Sequence, residues 1–392
     1  MPLKVGIYDP YLDTLGGGER YMLTIAEILL KHNYQVDIFW SKDKDLIDKA
    51  QDRFALNLEN LNLVPDIFSQ PQQNIDLIQD HSQLKKINST QKETRTNLGK
   101  VKHLLNKLKI TRNYNLFFYL SDGSIPILFA KKNILHCQVP FTNKFSFQTK
   151  IANKLKLFLN KNIICNSIFT QDQFKKTFHH KSSLLYPPID TDKFSTSSKK
   201  ENIILSVGRF DNILNKKRQD ILIKAFKKLS QNQNNKDWKL ILVGGSIKKP
   251  ELNNYLKHLK YEAKNFPIEF LIGPNFDTLK KIYSQSKIYW HAAGFGVDEN
   301  INPQNTEHFG MAVVEAMASG TIPIVVKKGG LPEIINEREN GFLWSDIDEL
   351  VSKTQLLIGS PQLMEQLSVQ TQQDSAKFSK QNFEKKLLEI IN

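Results

Sequence analysis

"SLLYPPIDTDKF", residues 183 to 194, followed by "STSSKKE", residues 195 to 201, decides how the chain divides. Pro187 and Pro188 fix two backbone φ angles and remove two amide donors, so neither a helix nor a central strand runs through them. The polar run that follows has too little apolar character to seed a core. Apolar strand-like runs alternate with helix-like runs on both sides of this break. A single closed βα barrel gives no reason for a proline-rich interruption at mid-chain, whereas two α/β domains in tandem need a linker there. The length of 392 residues also suits two domains of roughly 150 to 200 residues each, with a cleft between them. We place the first domain at 1–194 and the second at 195–375, with a terminal helix at about 376–392 crossing back onto the first.

Reading outward toward the N-terminus, "NIICNS" (162–167) is a strand whose Ser167 caps the helix "SIFTQDQFKKTF". Further strands are "KNILHCQ" (132–138), "YNLFFYLS" (114–121) and "LKVGIYD" (3–9); a glycine turn and amphipathic helix, "GGGERYMLTIAEILLKH" (16–32), then lead to "YQVDIFW" (34–40). The segment 41–112 is less regular. Toward the C-terminus the strands are "NIILSVGRF" (202–210), "WKLILVGG" (238–245), "IEFLIGP" (268–274), "IYWHAA" (288–293) and "IPIVVKKGG" (322–330), with helices between them. These strands are apolar on both faces, the mark of parallel strands covered by helices. The expected class is α/β, two doubly wound Rossmann-like domains.

Hydrophobic residues at 40% and charged residues at 24% are ordinary for a globular protein. No apolar run reaches the roughly 18 residues that span a bilayer, and the chain opens directly into a strand, so the expectation is a cytoplasmic protein able to touch the cytoplasmic membrane face. Cys137 and Cys165 are too few for a disulfide framework or a metal cluster, and buried free thiols are expected. A formal charge of +14 points to an anionic partner: nucleic acid, acidic lipid or a phosphorylated substrate. A genomic base bias would give the same lysine-rich and asparagine-rich composition. Two basic stretches, 84–112 and 143–162, fit a surface able to lie on anionic lipid. The second places Phe147, Ile151, Leu155 and Phe158 at helical intervals, which equally suits an ordinary helix with one core face.

"NTEHFGMAVVEAMASG" (305–320) carries the candidate chemistry. Phe309 to Ser319 reads as a helix ended by Gly320, with Glu307 in the preceding loop and Glu315 inside the helix. Helical geometry separates the two acids by about 12 Å, too far to flank one bond as acid and base, so each takes a different part of one long ligand. The amides of Phe309, Gly310 and Met311 open the helix and suit an anion. Arg209 in "VGRF" and Lys217 in "NKKRQD" supply cations that balance a pyrophosphate without metal. Glu315 then suits a ribose diol and Glu307 sugar hydroxyls, and the ligand assembled in this way is a nucleotide sugar.

Over nearly its whole length the chain resembles the retaining family 4 glycosyltransferases of the GT-B fold. The resemblance rests on "GGGER", "SVGRF" with "KKRQD", "LVGG", "FLIGP" and above all "EHFGMAVVEAMASGTIPIVVKKGGLPEII". It implies that Glu307 contacts the donor sugar and Glu315 the ribose, that Arg209 and Lys217 neutralise the diphosphate, and that the turn amides lie at Phe309 and Gly310. His308, Met311 and Gly273 complete the implied donor-side set. Gly17 and Gly18 fall near the diphosphate and acceptor, and His136 in "ILHCQVPF" near the transferred sugar. Two departures stand out: Arg218 follows Lys217 where glycine is usual, and "FGVDENINPQNTEHFG" is longer and more polar than the usual approach to the first Glu. The motif style is nearest to the branch that elongates lipid-linked oligosaccharides with mannose. The implied activity is metal-independent hexosyl transfer with retention, GDP-mannose being the first donor choice and a UDP-sugar the second, to a glycan or lipid-linked acceptor, with no cofactor.

Rival readings fit less well. A dehydrogenase fingerprint wants its last glycine where Tyr21 stands. A sugar-nucleotide epimerase would share the fold but has no need of "EHFG". A non-catalytic nucleic-acid-binding protein suits the charge, yet no aromatic RNA-reading motif or zinc spacing appears, and no nucleic-acid partner is expected. Asp190 with Asp192 reads as linker, Asp346 with Asp348 as a helix cap, and His291 as a core residue, so no metal is expected.

Overall fold

The computed structural model describes residues 2–43, 45–68, 97–141, 145–160, 162–197, 199–211, 216–245 and 253–392. The part of the first basic stretch before residue 97 lies outside them.

In the N-terminal part, strands β1 (Lys4–Tyr8), β2 (Gln35–Phe39), β3 (Asn62–Val64), β4 (Leu116–Leu120), β5 (Lys132–Cys137), β6 (Asn162–Cys165) and β7 (Ser183–Leu184) form a sheet in the order β3-β2-β1-β4-β5-β6-β7. Every described register in it is parallel, Val5 pairing with Val36 on one side and Leu116 on the other. Helices α1 (Gly17–Lys31), α2 (Leu46–Phe54), α3 (Asn97–Thr111), α4 (Phe147–Leu159) and α5 (Ile168–Phe178) connect the strands. Ser167 caps α5 as its sequence predicts, accepting from the Thr170 amide at 3.0 Å. Gly6 sits where a Cβ would lie 2.5 Å from the Phe117 ring, so that ring lies over β1 only because the position is bare. The less regular segment contains α2 and β3. A three-residue edge strand carries no alternation long enough to read.

The second sheet joins β8 (Glu201–Val207), β9 (Lys239–Gly244), β10 (Ile268–Ile272), β11 (Ser286–His291), β12 (Ile322–Val326) and β13 (Phe342–Trp344) in the order β10-β9-β8-β11-β12-β13, all parallel. Around it lie α6 (Gln219–Leu229), α7 (Asn254–Glu262), α8 (Phe276–Gln285), α9 (Met311–Ala318), α10 (Ile347–Gly359) and α11 (Pro361–Ser375), and α12 (Lys380–Ile391) follows them in the chain. Trp290, Trp344, Phe226 and the β12 side chains are fully buried between these layers. The chain moves from β8 to β9 and β10 in one direction and from β11 to β12 and β13 in the other, so the sheet changes direction between β8 and β11. Ligands of doubly wound sheets bind outside the C-terminal strand ends at such a point.

Lys200 ties this half together, its ammonium donating to the carbonyls of Ser284, Ser286 and Ser319 and to Thr321 Oγ1 at 2.8 to 3.2 Å. Ser284 and Ser319 end α8 and α9, where carbonyls lack helical partners and a cation suits the dipole.

By contact density the chain forms two units, Met1–His136 with Ser146–Ile163, and Cys137–Phe145 with Ile164–Asn392. Within the second, the N–H of Ile189 donates to Phe378 O and the N–H of Lys380 to Ile189 O, which fixes the start of α12.

Candidate active site

Val207 ends β8 and His291 ends β11, the two strands that flank the change of direction. The loop after β8 lies flush on the end of β9: a Cβ on Gly244 would stand 2.0 Å from Gly208 O, and one on Gly208 would stand 2.7 Å from the Lys217 side chain. Gln219 fixes that loop from the other side, its amide donating to Gly208 O at 3.2 Å and Arg209 O at 3.0 Å. Arg209 projects from the loop with its side chain 46% exposed and its Nε 3.4 Å from Asp211. Gly273, at φ +61, donates its N–H to Gly244 O on the neighbouring strand end.

Glu307 is the centre of the arrangement. Its Oε2 lies 2.6 Å from Lys217 Nζ and 2.9 Å from His291 Nε2, and the three side chains are 13%, 18% and 3% exposed. Burial works against the charged form of Glu307, but the Lys217 ammonium and the His291 ring outweigh it and hold the carboxyl well below the usual carboxylate range. A carboxylate accepts, so His291 donates through Nε2. The sequence reads His291 as core. It is core by burial and also a partner of Glu307, and the only sequence signal for this was its place at a strand end.

The two glycines after β12 explain how the loop carrying Glu307 is held. A Cβ on Gly329 would lie 2.1 Å from Glu307 O, one on Gly330 2.3 Å from His308 O, and the Gly330 N–H donates to Glu307 O at 2.8 Å. Only bare backbone lets these two segments touch. Helix α9 begins two residues later than the sequence suggests, at Met311, because Gly310 takes φ +116 as its N-cap. The Met311 and Ala312 amides of the first turn have no carbonyl one turn back to bond. Phe309 is buried, its ring tilted against Tyr186 and edge-on to Phe378, with centroids 5.5 and 5.3 Å away. Glu315 is 8% exposed and its Oε2 accepts from the Tyr283 hydroxyl at 3.1 Å. His308 lies 3.1 Å from Gln304 O through Nε2, and burial pushes its pKa down to about 4, so it is neutral at pH 7.

The two departures from the family pattern turn out to be one feature. Arg218 adopts φ 53, the left-handed conformation that a glycine takes freely. Its guanidinium forks onto the Asp220 carboxylate at 3.1 Å, donates to Phe295 O at 2.7 Å and lies 5.8 Å from the Phe295 ring centroid. The long polar loop is pinned again where Glu299 accepts from the Gly329 N–H at 3.0 Å. This loop joins His291 to Glu307, so anchoring it fixes both ends of the carboxylate cluster.

In the first unit, Gly17 and Gly18 are the first residues of α1, and the Glu19 side chain accepts from the Gly16 N–H at 2.6 Å. His136 is fully buried and its ring stacks on Tyr21, centroids 4.2 Å apart. Contact between His136 and a sugar would therefore require side chains that cover the ring to move. Asp346 accepts from the Glu349 N–H as the N-cap of α10.

Comparison with known proteins places this geometry. The glycosyl transferases group 1 family model matches residues 188–374, the span that holds every element of the Glu307 cluster. The chain carries a group 1 glycosyl transferase domain. An uncharacterised glycosyltransferase of Haemophilus influenzae is 26% identical over 93% of this chain and 93% of its own length. A GDP-Man:Man(3)GlcNAc(2)-PP-Dol alpha-1,2-mannosyltransferase of Dictyostelium discoideum is 27% identical over 56% of this chain, which spans only 44% of that protein. Anabaena HepE in complex with UDP and glucose superposes with a TM-score of 0.66 at 16% identity, covering 99% of this chain and 98% of HepE. The chain therefore has the GT-B fold, two Rossmann-like parallel-sheet domains.

Proposed function

We propose that the protein transfers a hexose from a nucleoside diphosphate sugar, GDP-mannose before a UDP-sugar, to a glycan or isoprenoid-linked acceptor, with retention and without metal. The Lys217–Glu307–His291 cluster at the change of direction of the second sheet carries this reading. Lys217, Arg209 and the first amides of α9 bind the diphosphate and stabilise the charge it gains as it leaves. Glu307, kept ionised by Lys217 and His291, accepts hydrogen bonds from sugar hydroxyls and orients the anomeric carbon. Glu315 takes the ribose hydroxyls. The bond from C1 to the diphosphate oxygen breaks and a bond from C1 to the acceptor oxygen forms on the same face, while the acceptor proton passes to the diphosphate. None of the side chains in the cluster is asked to act as a covalent nucleophile. Similarity to the Dictyostelium mannosyltransferase supports GDP-mannose, and HepE, seen with UDP and glucose, supports testing UDP-glucose beside it.

The test is a transfer assay with radiolabelled GDP-mannose and UDP-glucose against isoprenoid-diphosphate oligosaccharides, followed by digestion of the product with an α-specific glycosidase. An α-linked product from one donor is expected. A β-linked product would overturn retention, a chelator-sensitive rate would overturn metal independence, and absence of product from either donor would overturn the donor assignment.

A further inference from the structure

Helix α4 leaves part of its apolar surface exposed. Ile151, Leu155 and Phe158, spaced four and three residues apart, keep 57%, 65% and 68% of their surface exposed, while Asn153 and Leu157 are buried. A surface helix that only covers a core shows the opposite arrangement, apolar inward and polar outward. Leu104 and Leu105 of α3 are also exposed, at 40% and 59%. The two helices carry seven lysines and no acidic residue.

Topology puts both helices on one face. The crossovers from β3 to β4 and from β5 to β6 advance in the same direction across the sheet, and right-handed crossovers then lay α3 and α4 on the same side. Their C-terminal ends are tied to a common segment: Thr111 Oγ1 accepts from the Phe129 N–H at 3.2 Å, and the side-chain amide of Asn160 donates to Pro126 O at 2.7 Å.

We propose that the α3–α4 face is a docking surface for an anionic membrane. Ile151, Leu155 and Phe158 enter the boundary between headgroups and acyl chains, and Lys109, Lys154 and Lys156 meet lipid phosphates. Charge selects this occupant over a second copy of the chain, because a two-fold interface would set the same acid-free lysine surface against itself. The surface stands on its own observations, independent of the donor site.

The experiment is co-sedimentation of the full chain with vesicles of phosphatidylcholine alone and of phosphatidylcholine mixed with phosphatidylglycerol. Stronger sedimentation with the anionic vesicles is expected, about tenfold, and it weakens in high salt. The variant Leu155→Ser/Phe158→Ser and the variant Lys154→Glu/Lys156→Glu each lose about tenfold in partitioning. All four positions are outside the core, so thermal melting and nucleotide-sugar binding stay at wild-type values, which separates failure of this surface from failure of the donor reading. Wild-type sedimentation of either variant overturns the proposal, as does equal sedimentation with neutral vesicles. A concentration-dependent dimer abolished by Leu155→Ser/Phe158→Ser would also overturn it, assigning the face to a second copy.

Discussion

Arg218 donates to Phe295 O at 2.7 Å from a backbone held at φ 53. A left-handed residue costs roughly 1–2 kcal/mol when it is not glycine, and here the guanidinium offsets that cost by holding the loop between His291 and Glu307. Arg218→Ala keeps the backbone cost and loses the anchor, whereas Arg218→Gly loses the anchor and the backbone cost together. The alanine variant should unfold about 1 kcal/mol more easily than the glycine variant in urea, and both should be cleaved faster within 294–306 by limited proteolysis. Equal stability of the two variants would mean that the backbone conformation carries no cost.

Glu307→Gln preserves size but removes the charge that Lys217 and His291 stabilise. Turnover should fall about 100-fold, since loosening the hold that orients the anomeric carbon costs about that much, and melting should fall as well because Lys217 loses its partner. A rate within threefold of wild type would remove Glu307 from the reaction.

His291 acts through Glu307 and is a positioning residue. His291→Phe removes the donor at Nε2 while keeping a ring in the core, and kcat should drop about tenfold. His291→Gln restores a donor and should recover part of that loss, which a purely structural histidine would not show.

His308 makes stability depend on pH. Its folded pKa of about 4 lies below the ordinary histidine value, so the unfolded chain binds more protons between those two values. The contribution is therefore fully present at pH 7 and is lost as pH falls from about 6.5 to about 4, by about 3 kcal/mol at most. Denaturation midpoints measured across this window should fall for the wild type and flatten for His308→Gln.

Lys200→Met leaves the carbonyls of Ser284, Ser286 and Ser319 without the amine that donates to them, a group whose pKa burial lowers to about 7. Leaving these buried carbonyls without a donor should cost about 1–3 kcal/mol, read from urea unfolding. A change below about 0.5 kcal/mol would show that water replaces the ammonium without loss.

Much of the second half was legible in the sequence because its strands are long and apolar on both faces, and the signals around Glu307 are local. The Gly329–Gly330 pair, for instance, has a meaning only as bare backbone, and the structure puts it against Glu307 and His308. His291, Gln219 and Arg218 were not legible in the same way. Each acts through a contact between residues adjacent in space but distant in sequence, from strand end to loop or from helix start to strand end. The α4 helix misleads differently: its pattern has the right period for a core helix, and periodicity alone carries no sign for which face turns inward.

The central claim is that Lys217 and Glu307 belong to a nucleotide-sugar site. Its most direct test is a thermal-shift titration of wild type and Lys217→Met with GDP-mannose, UDP-glucose, GDP and UDP, since a ligand that binds the native state raises its melting temperature. The account predicts a saturable rise for the wild type with one base family and a loss of that rise of at least about tenfold in affinity for Lys217→Met. A wild-type protein that no nucleotide stabilises, or a Lys217→Met variant that binds as tightly as the wild type, would contradict it.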